Sequence, residues 1–578
     1  MAQPLHQHIA KFEIKVDGAP LTAGIEDLLV SALVEDNLAL PDMFRLVFRD
    51  PRRAVLGITR IKIGSVVAIS VVSEGAPSGE PLLTGEVTAL EAEYDDGGTF
   101  TVVRGFDHSH RLFRGRTTAT YPNTTYSDVV AQVTGRAGLA TGRIDATTGV
   151  QPHITQANMC DWQFLSLIAQ ETGYEVAVVK GKLEFRRPTD STGGPGKGSY
   201  DSTNPLQLVY GANLLRFHAS VTAAEQVKEV QVRGWDARQK RAVVGTAPGA
   251  TTSAALSVSP ASLAGTFGGP THVTVDVPYG SQAEVDNAAK AVAERIAGAF
   301  AELDGTALGN PKLRAGTAVS LSLAGAPFDG KYRLTATRHL YDPHDGYTTS
   351  FVASGRQERS LLGLTSPGVN GSAPGVRLIA GVVIAVVTDV KDPDNLGRVK
   401  LRFPWLSDSY VTDWVRTVQA GAGISRGAVF LPEVNDEVLV AFEQGDVSRP
   451  FVIGGLWNGV DQPPLGPGLV DPATGAVKRR GFVSKKAGAL IFFDDAVDEG
   501  VALLTGDKKH RISLNKTMMA IRITSGGKVE ISGALDVTIK AGTNLTVEAG
   551  ALLELKGAMV SISANGPVQV KGNPIQLN

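Results

Sequence analysis

The feature that most constrains this chain is a repeat at its C-terminal end. Apolar pairs recur at Ile521/Ile523, Val529/Ile531, Val537/Ile539, Leu545/Val547 and Leu553/Leu555, eight residues apart each time. The series continues with one-residue slips at Val560/Ile562, Val568/Val570 and Ile575/Leu577. Gly526, Gly533, Gly542, Gly550, Gly557, Gly566 and Gly572 fall between the pairs. Short strands at a fixed period with a glycine at each corner indicate a β-solenoid. One such rung cannot bury both faces in a single chain. Either the chain coils on itself or several chains wrap together, and the repeat does not choose.

The other residues point the same way. Glycine accounts for 65 of 578 positions, which shifts the expectation from helices toward strands and tight turns. A chain of this length holds three or four domains at about 150 residues each. The formal net charge of −2 argues against a general nucleic-acid binder or a polybasic membrane-surface protein. The single cysteine, Cys160, rules out an intrachain disulfide, a cysteine-based zinc site and a cysteine-anchored iron–sulfur cluster. The polar start, Met1 to Lys11, does not resemble a signal peptide, and no stretch approaches 18 apolar residues. We therefore expect synthesis and assembly in the cytoplasm.

Along the chain, residues 1 to about 120 alternate apolar and polar over short runs, as in Phe12 to Val16 and Arg45 to Phe48, and read as strands and turns. The spacing predicts helices over Tyr126 to Val133, Asp161 to Thr172 with Gly173 as the stop, and Ser281 to Leu303. The Gly- and Pro-rich stretch 361–376 reads as a linker. Residues 377–459 contain several short strands and suggest a small barrel. Its expected strands include Val382 to Val387, Arg398 to Phe403, Trp414 to Val418, Ala428 to Leu431, Glu437 to Phe442 and Pro450 to Ile453.

That barrel resembles the oligonucleotide-binding-type (OB) domain of VgrG spikes and phage baseplate spikes. The likeness is carried by Asp394-Asn395-Leu396-Gly397-Arg398-Val399-Lys400-Leu401-Arg402-Phe403-Pro404-Trp405 and Trp414-Val415-Arg416. Phe430-Leu431-Pro432, Asp436 to Val440 and Gly454-Gly455-Leu456-Trp457-Asn458 extend it. Residues 101–173 are similar to the late-control, hub-like part of the same family, through Arg104-Gly105-Phe106-Asp107 and Asp161-Trp162-Gln163-Phe164-Leu165. Pro311 to Gly316 adds to that match, with Ala315 where the family carries Pro. The family's Gly between Pro432 and Asp436 is also missing.

The resemblance implies a mainly β protein. It would consist of a hub-like region of β-barrel subdomains with a few helices (1–360), a linker (361–376) and an OB-type barrel (377–459). A connector (460–507) and a trimeric β-helix needle (508–578) would follow. It implies a structural, non-enzymatic spike of a contractile injection system, working as a homotrimer. The partners would be inner-tube and baseplate proteins, an effector cargo, and a PAAR-like, metal-bearing cap. The cap would seat at the C-terminal end, and Ile575, Leu577 and Asn578 are the candidate partner-binding residues. Particles could stay with the producer or be released outside the cell. No catalytic residue, cofactor or metal ligand is expected in this chain.

Several motifs compete with that reading. Gly423-Ile424-Ser425-Arg426-Gly427 matches a nucleophile elbow, which needs a strand before it and a helix after it. Here a strand is expected to follow, so the pentapeptide reads as a barrel loop. Asp392 to Gly397 faintly matches a calcium loop, but Leu396 and Phe403 stand where oxygen ligands are required. His108/His110 and His6/His8 could each share a strand face, yet two imidazoles fall short of a metal site. Arg398, Lys400, Arg402, Arg416 and Trp405 could form a strand-binding face, and read instead as one solvated face. A cell-wall or polysaccharide hydrolase using the solenoid as its groove would need a carboxylate pair. Asp494, Asp495, Asp498 and Glu499 are the only dense acidic group, and they read as a turn.

Overall fold

Period-two alternation in the first hundred residues becomes strand, as expected. In Ala10–Val16, Phe12, Ile14 and Val16 are buried, because alternate side chains of a strand point to one face. The computed structural model describes residues 10–73, 79–179, 181–201, 203–275, 277–355, 379, 381–495 and 498–576. The linker 361–376 and the pair His6/His8 lie outside these. The chain divides into two compact units, Met1–Asp461 and Gln462–Asn578.

In the first unit, one 11-stranded sheet joins segments far apart in sequence. Residues 10–107 supply seven of its strands and 214–353 the other four. The seam is the antiparallel pairing of Leu29–Asn37 with Ala336–Asp342. Barrel subdomains are expected here, but the sheet's hydrogen-bonded order is open, from Leu214–Val221 to Ala19–Pro20. It curls instead, until the Phe12 ring lies 5.4 Å from Tyr341 and 5.2 Å from Tyr347. Side-chain packing therefore closes the core where backbone pairing does not.

Arg314 staples the two segments. Its Nε donates to Asp36 Oδ2 at 2.5 Å and its Nη1 to the Leu82 carbonyl at 2.6 Å. The neighbouring Ala315 N–H also donates to Asp36, at 3.1 Å. Proline has no N–H to make that bond, so the alanine at this motif position adds a hydrogen bond.

Helix α1 spans Tyr126–Arg136, one turn longer than expected, and Thr125 and Asp128 form its capping box. Helix α2 spans Asp161–Thr172 and stops at Gly173, whose φ of 73° is the left-handed cap glycine supplies. Helix α3, Pro260–Thr266, lies in a stretch for which no helix is expected. The expected helix from Ser281 to Leu303 is a correction: helix α4 is Gln282–Gly298, with Ser281 as its cap. Phe300 and Leu303 keep the helical spacing but belong to a different core. Phe300 sits in the turn before the strand Ala301–Leu308 and Leu303 within it, and that strand pairs with Leu214–Val221 and Gly346–Ala353. Val285 and Ala289 pack against Val230, Val232 and Val243. Tertiary pairing overrides the periodicity where the two cores meet.

Residues 382–455 form a five-stranded barrel. Its order is Lys400–Arg402, Val382–Asp389, Glu437–Phe442, Pro450–Gly455 and Arg416–Thr417. A bridge between Val399 and Val415 joins the first strand back to the last. Phe403 is fully buried at the centre, with Tyr410 and Phe442 each 5.6 Å away. The expected strand Ala428 to Leu431 does not form, and a two-residue hairpin, Ala422–Gly423 with Arg426–Gly427, precedes it instead. Val429, Phe430 and Leu431 are exposed, so no core draws this apolar run into a ladder.

The second unit is a five-stranded antiparallel meander: Arg479–Val483, Ala489–Asp495, Asp498–Leu504, His510–Asn515 and Ala520–Ser525. It crosses the expected connector boundary at 507. Residues 526–576 carry no regular strand, and every one of them is exposed.

Candidate functional site

The meander's two faces differ sharply. Register puts Phe482, Leu490, Leu503, Ile512 and Ile523 in one row across all five strands. Phe492, Val501, Leu514 and Ile521 make a second row on the same face, beside Arg480. Directly opposed residues of antiparallel strands share a face, so nine apolar side chains form one continuous ladder. They are not covered: Leu503 is 56% exposed and Ile521 74%. The opposite face holds Ala489, Ala502 and Ser513, which are buried, beside the partly buried Val483, Ile491, Phe493 and Leu504. The guanidinium groups of Arg479 and Arg511 lie 5.9 Å and 5.8 Å from the Phe493 ring centre.

The ladder also exposes a signal that the octad pattern leaves out. Its last pair, Ile521/Ile523, is the first pair of the repeat. Before it stand Ile512/Leu514, Val501/Leu503 and Leu490/Phe492, at steps of nine, eleven and eleven residues. The periodic series therefore begins at Leu490, and its step shortens to eight. The later pairs through Val568/Val570 are exposed too, as with Val529 at 55% and Ile531 at 71%. Of the expected partner-binding residues, Ile575 is exposed. Leu577 and Asn578 lie outside the described residues.

The acidic group beside this face is fully engaged with basic and amide neighbours. Arg480 pairs with Asp494, Lys478 with Asp495 at 3.7 Å, and Lys516 with Glu499 at 2.7 Å. Asn515 Nδ2 donates to Asp498 at 2.5 Å. Asp494 pairs with Glu499 and Asp495 with Asp498 in the ladder, so the four acids sit at facing strand ends beside their counter-ions.

The barrel's basic residues are likewise engaged: Arg398 is drawn in, while Arg416 and Trp405 stay exposed. Arg398 donates Nε to Asp392 Oδ2 at 3.0 Å and pairs with Asp394 at 2.6 Å. Asp392 also accepts backbone N–H bonds from Asp394, Leu396 and Arg398. These bonds, led by the Arg398 side chain, hold its carboxyl far below the usual range. The calcium-loop-like turn is thus occupied by a guanidinium. Lys400 lies over the Trp414 ring, Arg416 over Phe451, and Arg402 is 3.8 Å from Asp408. Trp405 Nε1 donates to the Ile384 carbonyl. In the elbow-like pentapeptide, Ser425 sits at the hairpin tip at φ 53°, Ile424 is 96% exposed, and no helix follows. Asn435 takes φ 76° where the family's glycine is missing, a conformation asparagine tolerates.

His108 and His110 do not share a strand face, because they sit in a 3-10 turn, His108–Phe113. Both face Glu86, at 3.9 Å and 2.9 Å. Burial pushes Glu86 up, but bonds from Arg111 and His110 outweigh it and hold the carboxyl at about 2. Among the described residues, no group of three or more His, Cys, Asp or Glu is arranged to hold a metal. No described helix is long and apolar enough to cross a membrane.

Comparisons with known proteins fall on the same regions. Residues 383–457 match the type VI secretion system/phage-baseplate injector OB domain, and residues 77–342 match the Alg8 N-terminal domain. The type VI secretion system spike protein VgrG2a of Pseudomonas aeruginosa is 30% identical over 117 residues, which is 19% of this chain. VgrG3 of Vibrio cholerae, also described as a spike protein, is 37% identical over 90 residues, 15% of this chain. These matches take in only 14% and 9% of the two relatives' own lengths. A chain of the half-lidded PdpA–VgrG complex of Francisella superposes with a TM-score of 0.53 at 9% identity. That superposition covers 91% of this chain and 89% of the other, and it defines the fold. The barrel is therefore an injector OB domain of the kind shared by type VI secretion systems and phage baseplates. More particularly, the chain is VgrG-like.

Proposed function

We propose that this chain is the central spike of a phage-tail-like contractile injection system. In this reading residues 1–360 are the hub that meets the tube and baseplate, the barrel follows it, and the tail is a β-helical needle built from three copies. The observation that carries it is the bare apolar ladder continued by the octad pairs, in a chain that holds an injector OB domain. Fixing backbone costs about 1–2 kcal/mol per residue, and burying one large aliphatic side chain returns about 1.5–3 kcal/mol. The only apolar residues buried among those described in the second unit are Ala489 and Ala502. A single copy therefore has too little buried surface to hold that backbone. An identical copy presents the same pairs at the same period, so it can cover them in register. Three wrapped copies would also leave no free sheet edge along the needle.

The role is structural: force is carried by a rod, and no catalytic group is required. The acids of the hydrolase alternative are tied to Arg480, Lys478, Asn515 and Lys516, which favours the spike reading. We place synthesis and assembly in the cytoplasm, with firing or release carrying the particle outward. A PAAR-like cap would seat at Ile575, Leu577 and Asn578, with effector cargo as a further partner. Light scattering of the full chain tests the assembly, with an expected mass near three times 60.6 kDa. A folded, protease-resistant monomer would overturn it. Removing the last rung should abolish co-purification of the cap, and unchanged recovery would remove the cap assignment.

A further inference from the structure

The tail meander carries opposite charge on its two edges. Successive turns of an antiparallel meander fall on opposite edges of its sheet, so the turns at 484–488 and 505–509 share one edge. Gly506 lies against the Lys486 carbonyl there, which sets the two turns side by side. Asp494, Asp495, Asp498 and Glu499 lie on the other edge, with the turn at 516–519.

The first edge carries Lys485, Lys486, Lys508 and Lys509, and Lys528 where the chain leaves Ala520–Ser525. Its acids are Asp507 and Glu530. Glu530 is paired with Lys528 at 2.7 Å, and Asp507 accepts from the Thr505 hydroxyl and the Lys509 N–H. Lys486, Lys508 and Lys509 are exposed, and among the described residues none of the three has an ion-pair partner. The second edge carries its four acids and Asp471 against Lys478, Arg480 and Lys516. Asp498 is bonded there to the neutral amide of Asn515, and among the described residues no cation pairs with it. One edge therefore has cations to spare and the other an acid.

The spare groups stand at the same level of the sheet. Asp498 begins the strand Asp498–Leu504, and Lys508 lies in the turn that follows it. Seven residues of strand hold the two ends about 20 Å apart, so they cannot meet within one copy. Between copies they can. With the apolar ladders turned inward, a cyclic axis that crosses the strands sets each copy's lysine edge beside the next copy's acidic edge. An axis along the strands would set lysine against lysine, which like-charge repulsion opposes. A closed ring carries no translation along its axis, so the two ends of one strand come together at one level.

We propose that copies of the meander meet edge to edge through ion-paired seams, with Lys508 of one copy against Asp498 of the next. Lys486, one hairpin away, meets the next copy's Asp494 in the same way. The proposal rests on the three-copy reading and adds how the copies join. The apolar rows supply the adhesion. One surface ion pair contributes little, but every seam repeats it, and it fixes which edges meet and at what level.

The test treats the full chain with a carbodiimide, which joins a lysine amine to a carboxylate only where the two touch. Peptide mass spectrometry and light scattering are read on the same sample. Links from Lys508 or Lys486 to Asp498 or Asp494 are expected, in material near three times 60.6 kDa. Lys508→Glu and Asp498→Lys should each lower the melting temperature of the tail by about 5 °C, and the combined variant should recover most of that loss. A three-chain mass with the acids linked only to Lys478 and Lys516 would overturn the seam and leave the spike reading standing. So would a combined variant no more stable than the single ones. A mass of one chain would overturn the seam and the spike reading together.

Discussion

The barrel and the tail meander are both five-stranded, yet they reach stability by opposite routes. Residues 382–455 bury a full set of large apolar side chains around Phe403 within one chain. The meander has as many strands and a comparable apolar content, but leaves its ladder bare. The difference lies in closure. The Val399–Val415 bridge brings the barrel's first strand back to its last, so the inner face has an inside. The meander has two ends and two open faces, so its apolar rows wait for a second surface. A β-pattern in sequence thus states which face is apolar, while chain topology decides whether that face is covered at home.

The largest effect on this comparison should come from Leu503→Asp combined with Leu514→Asp. Two charges on the ladder should reduce the native mass from about three chains to one, read by light scattering. The melting of the first unit should be unchanged. Melting of the tail in the unaltered protein should rise with protein concentration, while that of the first unit should not. Within the barrel, Asp392→Ala removes the acceptor that holds Arg398 and the turn. Breaking a buried pair from one side costs about 3 kcal/mol, visible in urea denaturation at neutral pH and independent of concentration.

A smaller effect is expected where helices α1 and α2 meet. The Tyr126 hydroxyl donates to Glu171 at 2.7 Å, and burial raises the Glu171 carboxyl to about 7 from an ordinary 4.5. The folded chain then holds more protons than the unfolded chain between about 4.5 and 7. This group's contribution therefore becomes less favourable as pH rises through that window. Glu171→Gln should gain about 1–3 kcal/mol over the parent at pH 8 and nothing near pH 4, measured by denaturation at both values. The smallest effect is at Asn435. Asn435→Ala should cost about 1 kcal/mol, because alanine resists a positive φ, while Asn435→Gly should be near neutral.

Legibility in the sequence followed the same divide. Barrel strands such as Glu437–Phe442 could be read to the residue, because their apolar residues alternate and face one core. Helix α2 was legible because Gly173 marks its end. The octads stand out in the sequence, but a single chain forms no strand from them over 526–576. The pairs from Leu490 to Leu514 were missed, because hairpins of changing length stretch their step to nine and eleven. Phe300 and Leu303 misled, because helical spacing continued past Gly298 into residues that another core claims. The Arg398–Asp392 pair was hidden inside what looked like a run of surface charge.

The short repeat of the tail has an evolutionary side. In the proposed needle each unit is one apolar pair and one corner, so duplicating or deleting eight codons would change its length by one rung. The steps of seven at Val560/Ile562 and Ile575/Leu577 indicate that the turns absorb a lost residue. Length in this region can therefore drift by replication slippage among lineages, while the hub and barrel, where each core position is claimed once, must change residue by residue.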